Sequence, residues 1–345
     1  MIGLALSGGG VKGSYQIGAY MAFKECGIKF DGITGTSIGA FNGAIIAAGL
    51  ENELLSFWQN IDIGKLLNYN DKYLKKLKSK EEDLELLLLK IDNFISIINN
   101  KGISIEGLQR ILVDFDVEEK LRKSNIEYGL STYRMKDGKA LDLFLEDIPK
   151  GSLNNYIIAS CYLPIFKKEK LVDDSYFFDG GIHNYCPIDM LINKDYEKVY
   201  AIDLKAIGFK RPIQAKEKVI TISPSRKISS MLTVDQEKIK DNIKLGYYDT
   251  IKVLKQYDGF KYIFKKNSKL YYKYITRKIN KSTLNLASLY YKTNDKKQIV
   301  IKAIEQLMKK DNETYYSIYK IRKQIKKYQK YEGNNVALKV IKELK

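Results

Sequence analysis

The chain is poor in the residues that build metal centres and disulfide frameworks. Its 345 residues include a single histidine, His183, and three widely separated cysteines, Cys26, Cys161 and Cys186. No pair of these residues has the spacing of zinc ligands, and three scattered cysteines are too few for a disulfide framework. We therefore expect no metal. The cysteine usage fits a reducing compartment, which favours a cytoplasmic location.

Long apolar segments are also scarce. The N-terminus, Met1–Leu6, has no cationic start and leads directly into glycines, which predicts a buried strand and not a signal peptide. The stretch Gly32–Leu50 has no charged residue over 19 positions, but it contains five glycines, two threonines, a serine and an asparagine. That composition argues against a membrane span of the same length. We expect a soluble, globular protein.

Negative charge is scarce in the second part of the chain. From Lys205 onward there are 35 Lys and Arg against 12 Asp and Glu, a net charge of +23, whereas residues 1–204 hold 24 and 29, a net charge of −5. This asymmetry predicts an anionic partner, either a membrane surface or a nucleic acid, with a solvated lysine-rich surface as the alternative. The change in charge, together with Pro212, divides the chain into residues 1–205 and a basic, mainly helical region at 206–345.

Hydrophobic patterns in the first region alternate between strands and helices. Predicted strands are Ile2–Leu6, Ile33–Thr36, Ile126–Thr132 and Val199–Leu204, and predicted helices are Ser14–Lys24, Ala40–Leu50 and Tyr156–Ser160. Strand–turn–helix units of this kind predict an α/β fold built on a sheet.

Residues 51–101 interrupt this alternation with a helical insert. Apolar side chains recur at helical spacing between Leu84 and Ile98, acidic residues precede them, and Gly102 follows. A stripe of this kind usually packs against a core. The alternative is a lid or a lipid-facing helix beside an active site.

The first motif with chemical meaning is Gly35-Thr-Ser37-Ile-Gly39, a G-x-S-x-G between a predicted strand and a predicted helix. A sharp turn there lifts the serine hydroxyl out of the sheet, and the flanking glycines relieve the crowding. The helix that starts at Ile38 points its positive N-terminus at a developing oxyanion. Ser37 is therefore a candidate nucleophile.

A glycine-rich loop, Gly8-Gly-Gly-Val-Lys-Gly13, follows the first strand and has two interpretations. It satisfies the dinucleotide-binding pattern G-x-G-x-x-G, and Asp31 lies at the spacing of a ribose-binding acid. That acid should end the second strand, however, and Asp31 precedes it. The context favours an oxyanion hole, in which successive glycine N–H groups converge on one oxygen.

A third motif surrounds Asp179. An apolar run, Tyr176-Phe-Phe, leads to Asp179-Gly180-Gly181, so the carboxylate lies at a strand end on a tight turn, from which it can face a serine. Asp-Gly-Gly alone is most often an ordinary turn. Asn184, shortly after it, either orients this loop or caps the turn.

In this order and at these intervals, the three motifs resemble the patatin-like phospholipase family. Further matches are Ala159–Phe166 and the strand ending at Asp203, so the likeness covers about residues 1–205. The resemblance implies a three-layer α/β sandwich with a mostly parallel central sheet and a lipid acyl hydrolase that needs no cofactor. Its implied roles are Ser37 as nucleophile, Asp179 as base, and Gly8, Gly9 and Gly10 as oxyanion donors.

The family usually has arginine where this chain has Lys12, which puts any bidentate role of that side chain in doubt. The remaining family-motif residues are Gly13, Gly35, Gly39, Gly180 and Gly181, with Lys12, Ile38 and Asn184 in supporting positions.

The residues also bear on the choice between a dyad and a triad. A Ser–His–Asp triad would have to use His183, which follows Asp179 by four residues and is badly placed to bridge it to Ser37. Without a histidine, Asp179 must take the serine proton directly, which works better if burial raises its pKa.

The predicted function is hydrolysis of lipid acyl esters, of the phospholipase A or lysophospholipase type, with peripheral contact to an anionic membrane left open. One alternative is a hydrolase of neutral lipids or thioesters. A more distant one is a nucleic-acid-binding protein, in which tyrosines interleaved with lysines stack on bases. Those tyrosines are Tyr262, Tyr271, Tyr272, Tyr274, Tyr290 and Tyr291.

Overall fold

The computed structural model describes residues 1–62, 104–164, 166–231 and 235–345, and a seven-stranded sheet organises the first part of the chain. Its strands are β1 (Ile2–Leu6), β2 (Gly32–Thr36), β3 (Glu127–Arg134), β4 (Lys139–Phe144), β5 (Phe177–Asp179), β6 (Lys198–Ile202) and β7 (Val219–Ile222). The order is β4-β3-β2-β1-β6-β7, and β5 pairs with β3. Only the pairings of β3 with β4 and with β5 are antiparallel, so the sheet is mostly parallel, as the resemblance implied.

Helices flank the sheet and continue beyond it. They are α1 (Ser14–Glu25), α2 (Ile38–Ala47), α3 (Glu51–Asn60), α4 (Glu106–Asp114), α5 (Val117–Arg122), α6 (Leu153–Ser160), α7 (Gly181–Asn184), α8 (Ile188–Ile192), α9 (Gln236–Leu254), α10 (Lys269–Ile275), α11 (Lys281–Tyr291), α12 (Lys296–Lys310), α13 (Ile321–Tyr328) and α14 (Val336–Lys342). A two-stranded sheet joins β8 (Ile263–Phe264) to β9 (Ile318–Tyr319). The mixed α/β class and the helical C-terminal region are confirmed.

The centre of the sheet is buried on both faces. Every residue of β2 is buried, and so are four of the five residues of β1, because helices cover both sides of these parallel strands. No helix among the described residues has both the length and the apolarity to cross a bilayer, and the uncharged stretch Gly32–Leu50 is divided between β2 and α2.

The chain forms two compact units, Met1–Asp249 and Thr250–Lys345. The first unit includes β7, so the compact fold runs past residue 205, where the charge changes sign. The division at 205 therefore stays a prediction about charge and function. The predicted helix between Leu84 and Ile98 lies outside the described residues, and its role as core helix or lid stays a prediction.

The second unit has its own apolar core. Helix α12 supplies many of its buried side chains, and α14 packs against it. Two tyrosines that the nucleic-acid alternative would place on bases, Tyr262 and Tyr272, are buried in this core, and Tyr262 stacks on Tyr315. Their rings are therefore occupied by packing, which removes part of the basis for that alternative.

Candidate active site

Strand register brings Ser37 and Asp179 to the same edge of the sheet. Thr36, the last residue of β2, pairs with Ser131 of β3, and the next residue of β3, Thr132, pairs with Asp179 of β5. Strand β4 pairs along one side of β3. On the other side, β2 pairs as far as Ser131, and β5 pairs with the residues of β3 that follow. Ser37 follows Thr36 directly, so the two candidate catalytic residues are neighbours although 142 positions separate them.

Ser37 has the strained backbone of a nucleophile elbow. Its φ of 56° and ψ of −129° lie in a region that L-residues rarely adopt, and α2 begins at the next residue, Ile38. The turn requires glycine on both sides, since a Cβ on Gly35 would lie 2.3 Å from the carbonyl carbon of Gly39. The Ser37 N–H donates to Ser160 Oγ at 2.8 Å, which secures the turn from a neighbouring helix.

Asp179 is buried in a way that favours its neutral form. Its side chain is 6 % exposed, and Oδ1 accepts the N–H of Gly181 at 2.8 Å. Oδ2 is buried and has no hydrogen-bond partner of ordinary geometry among the described residues. Burial raises the pKa of Asp179 to about 6, against the lowering effects of the Ser37 hydroxyl and the Gly181 N–H. A carboxylate with such a pKa accepts a proton more readily than an exposed aspartate does.

The glycine loop approaches Ser37 from the carboxyl end of β1. A Cβ on Gly8 would lie 3.3 Å from Ser37 Cβ. The Gly8 N–H donates to the carbonyl oxygen of Tyr185 at 2.8 Å. The N–H groups of Gly9 and Gly10 have no protein acceptor among the described residues. Gly10 has a φ of +55°, and a Cβ there would lie 2.4 Å from a backbone oxygen, so this turn depends on glycine.

The His183 ring forms no hydrogen bond with Ser37 or Asp179. Its Nε2 atom lies 3.2 Å from Asp142 Oδ1, and Nη2 of Arg211 lies 2.8 Å from its Nδ1 atom. Arg211 also donates to Asp142 and to Asp189, at 2.6 Å and 2.9 Å. His183 therefore belongs to a charged network, and this geometry gives no support to the triad alternative.

Asn184 ties the turn that follows Asp179 to the nucleophile strand. Its carbonyl oxygen accepts the Thr36 hydroxyl at 2.7 Å, and its side-chain amide donates to Asp189 Oδ1 at 2.8 Å. Asp189 is in turn bonded to Arg211. These contacts hold the turn in one position relative to Ser37, in agreement with the orienting alternative for Asn184.

A family model described as Patatin-like phospholipase matches residues 4–192, more than half of the chain. The chain belongs to the patatin-like phospholipase family. The matched range contains Ser37, Asp179 and the glycine loop. The members of this family are lipid hydrolases. Among the described residues of this patatin-like chain, no group of three His, Cys, Asp or Glu side chains could hold a metal ion.

Curated relatives share parts of this region. Lysophospholipase nte1 of Aspergillus terreus is 56% identical over 46 residues, which is 13% of this chain and 3% of that protein. Patatin-like phospholipase domain-containing protein 6 of Homo sapiens is 28% identical over 209 residues, 59% of this chain and 13% of that protein. The patatin-like chain thus corresponds to a small part of the length of these relatives.

Two bacterial proteins of known structure are similar over most of the chain. VipD from Legionella pneumophila has a TM-score of 0.48 and 15% identity, covering 95% of this chain and 79% of that one. ExoU of Pseudomonas aeruginosa, solved with SpcU, has a TM-score of 0.40 and 14% identity, covering 99% and 70%.

The dinucleotide alternative fails on sheet direction. Asp31 lies before β2, and its carboxylate accepts the N–H of Ile2, the first residue of β1. The glycine loop follows the other end of β1, at the opposite edge of the sheet. An acid at the amino ends of the strands cannot serve a ligand bound at their carboxyl ends.

Ser160 and Arg211 are residues of the patatin-like site that were not assigned roles from the sequence. Ser160 accepts the Ser37 N–H and donates to Ser131, and it lies in the matched segment Ala159–Phe166, which was a signal that could have identified it. Arg211 had no such signal, because its partners are distant in sequence. Lys12 is 7 % exposed and lines a cleft beside the glycine loop.

Proposed function

We propose that the chain hydrolyses acyl esters of phospholipids with a Ser37–Asp179 dyad. The observation that carries this proposal is the strained serine beside a buried carboxylate whose pKa is raised to about 6. A relative named as a lysophospholipase supports a lipid ester as the substrate class.

In the proposed mechanism Asp179 removes the proton from Ser37 Oγ as this oxygen attacks the ester carbonyl carbon. The resulting oxyanion accepts hydrogen bonds from the N–H groups of Gly9 and Gly10, and Ile38 adds a third donor from the first turn of α2. The Gly8 N–H is already bonded to Tyr185, so Gly8 shapes the loop instead of donating.

The intermediate collapses when the carbon–oxygen bond to the leaving alcohol breaks and Asp179 returns the proton to that oxygen. Water then attacks the acyl-enzyme, with Asp179 as base, and releases the fatty acid and Ser37. The chain's own residues provide the nucleophile, the base and the donors for every step.

Product analysis on wild type, Ser37→Ala and Asp179→Asn tests this proposal. We expect fatty-acid release from phospholipid by wild type, and a loss of at least about a thousandfold in both variants. Ser56→Ala and Asp114→Asn are matched controls at exposed positions. An inactive wild type over an ester panel, or activity that persists in Ser37→Ala, contradicts the dyad.

The same panel separates phospholipid from the alternative substrates. Diacylglycerols and acyl thioesters offer the same acyl group without a phosphodiester. A preference for either of them over phospholipid would keep the dyad but replace the substrate class.

We also propose that the basic part of the chain, from Lys205 onward, contacts anionic bilayers. Its net charge of +23 supports this, since each Lys or Arg near such a surface contributes roughly 1 kcal/mol. Binding to anionic vesicles should weaken steeply with added salt and be absent for zwitterionic vesicles. Binding that is insensitive to salt contradicts the electrostatic contact.

A further inference from the structure

A cleft of about 740 Å³ opens beside the glycine loop, in the first unit. It lies at the carboxyl end of the sheet, where Lys205 follows β6, Ser225 follows β7, and the start of α9 supplies the opposite wall. Strands β1 and β6 are neighbours at the point where the strand order reverses direction. Ligands of open α/β sheets bind at such switch points.

The cleft is lined mainly by cationic and hydroxyl side chains. Its cationic residues are Lys12, Lys205, Arg226, Lys227 and Lys238, and its one carboxylate is Asp241. Asp241 holds Nη2 of Arg226 with both oxygens, at 3.1 Å and 3.0 Å, so the guanidinium is oriented by its neighbour. A lining with five cationic side chains and one carboxylate favours an anion, and an oriented guanidinium fork beside ammonium groups suits the oxygens of a phosphate.

Ser225, one of the hydroxyl residues that line the cleft, has a buried Oγ atom with no hydrogen-bond partner among the described residues. Its backbone N–H is bonded to Asp249, which also accepts the Tyr15 hydroxyl, so the segment is fixed from behind. A buried hydroxyl without a partner is costly unless a ligand completes its bonding.

The glycine loop lies between this cleft and Ser37. Gly8 faces the nucleophile, while a Cβ on Gly9 would lie 2.8 Å from Leu204 Cδ1, and Leu204 lines the cleft. In a phospholipid only a few bonds separate the phosphate from the acyl ester. A head group in the cleft is therefore compatible with an ester at Ser37, whereas acyl chains are poorly matched to a wall of charged groups.

We propose that this cleft binds the phosphate group of a ligand, and that the ligand is the phospholipid substrate. The assignment of this ligand as the phospholipid substrate rests on the proposed function, whereas phosphate binding itself does not. A soluble phosphate compound has the same chemistry, and the experiment distinguishes the two sources.

The test uses the full chain with Lys227→Gln/Lys238→Gln, two exposed cleft positions, and leaves the Arg226–Asp241 pair intact. Lys309→Gln/Lys310→Gln removes the same charge from exposed positions in the second unit and is the matched control. Short-chain phosphatidylcholine and the diacylglycerol with the same acyl chains are used as monomers, so that bilayer binding plays no part. Glycerophosphate is titrated by calorimetry into Ser37→Ala forms of each protein, which removes turnover.

If the head group occupies the cleft, the ratio of KM for phosphatidylcholine to KM for diacylglycerol rises about tenfold in the cleft variant and stays constant in the control. If a soluble phosphate compound is the ligand, that ratio is constant but the cleft variant loses about tenfold in glycerophosphate affinity relative to the control. A constant ratio together with equal glycerophosphate affinity in both variants overturns the proposal.

The two proposals fail separately. If wild type hydrolyses neither ester, the proposed function fails, and the glycerophosphate titration alone decides whether the cleft binds phosphate. If both esters are hydrolysed with Ser37 dependence but the cleft variant matches the control in ratio and affinity, only the cleft proposal fails.

Discussion

Among the described residues, each unit has one deeply buried carboxylate with a raised pKa, and the two are hydrogen-bonded very differently. Glu305, in the second unit, accepts the N–H groups of Phe260, Lys261 and Tyr262 on Oε1, at 2.7 to 3.1 Å. Asp179, in the first, has one N–H on Oδ1 and no partner of ordinary geometry on Oδ2 among the described residues.

Burial raises the pKa of both groups, but only at Glu305 do three backbone donors compensate the desolvated charge. The contrast supports the proposal that Asp179 serves catalysis and that Glu305 serves the fold. Glu305 connects α12 to the loop that precedes β8 and stabilises the fold. Asp179 lies beside a strained serine, with Oδ2 buried and without a partner of ordinary geometry among the described residues. This arrangement lowers stability and suits proton transfer.

The largest expected effect comes from breaking the close approach that builds the strained site. In Gly39→Ala the new Cβ would lie 2.2 Å from the carbonyl oxygen of Leu6, which is backbone and cannot yield. We expect a loss of about 3 kcal/mol or more in the free energy of unfolding, or failure to fold. Chemical denaturation measures this loss.

Gly43→Ala, in the same helix, is the matched control, because its Cβ meets only side-chain atoms, of Ile33 at 3.1 Å and of Leu6 and Tyr128 at 3.6 Å. There we expect a change within about 1 kcal/mol. Equal destabilisation by the two substitutions would contradict the account of the turn.

Asp179→Asn should stabilise the protein at neutral pH. The folded-state pKa of about 6 lies above the 3.8 of an unperturbed aspartate, so the ionised carboxylate opposes folding above pH 6, and this penalty disappears as the pH falls from 6 toward 4. Asparagine keeps an acceptor for the Gly181 N–H and carries no charge. We expect a gain on the order of 2 to 3 kcal/mol at pH 8 that vanishes near pH 4, measured by denaturant unfolding. A variant less stable than wild type at pH 8 contradicts the comparison.

Glu305→Ala should lower the free energy of unfolding, the opposite of the effect expected for Asp179→Asn. It leaves three N–H groups without their acceptor in a buried loop, at a cost of roughly 1 to 3 kcal/mol. Hydrogen exchange at Phe260, Lys261 and Tyr262 reports this locally and should accelerate. Glu305→Gln retains an acceptor at the same position and is the control. Equal exchange rates in the two variants would show that these bonds contribute little.

The smallest change in the free energy of unfolding is expected from breaking an ion pair whose two side chains are both exposed to solvent. Arg110 and Glu106 form an i,i+4 ion pair at 3.6 Å, with exposed fractions of 75% and 61%. Arg110→Ala should change the free energy of unfolding by no more than about 0.5 kcal/mol. A larger loss would show that surface pairs contribute more to this fold than burial-based reasoning assigns them.

Local patterns were sufficient to predict much of the fold around Ser37. The limits of β1 agree with the prediction, α2 begins at Ile38 as expected, and the predicted strand Ile126–Thr132 overlaps β3. Each of these depends on a short run of apolar residues followed by glycine or a helix start. Strand β4 was not predicted, because its side chains are exposed or half-buried and it is fixed mainly by pairing with β3.

Non-local contacts explain the other omissions. Ser160 bonds to Ser37 across 123 positions, and only its place in the family-matched segment Ala159–Phe166 pointed to it. Tyr185 bonds to Gly8 across 177 positions, and no local pattern could reveal that its carbonyl oxygen occupies a glycine N–H. The cleft that Arg226 lines had no motif either, since its lining, apart from Lys12, comes from the segments after β6 and β7 and from α9, which only the fold brings together. Conversely, Asp31 had suitable spacing for a nucleotide site, but the direction of the sheet places it at the wrong edge.

We propose that Asp179 activates Ser37 without a histidine. The most direct measurement is the rate at which a fluorophosphonate labels Ser37, followed by mass spectrometry from pH 4 to pH 9 in wild type, His183→Gln and Asp179→Asn, each shown to be folded. We expect a labelling rate that rises with pH around an apparent pKa near 6 in wild type and in His183→Gln, and labelling that is nearly absent in Asp179→Asn. Loss of labelling in His183→Gln, with labelling retained in Asp179→Asn, would contradict it.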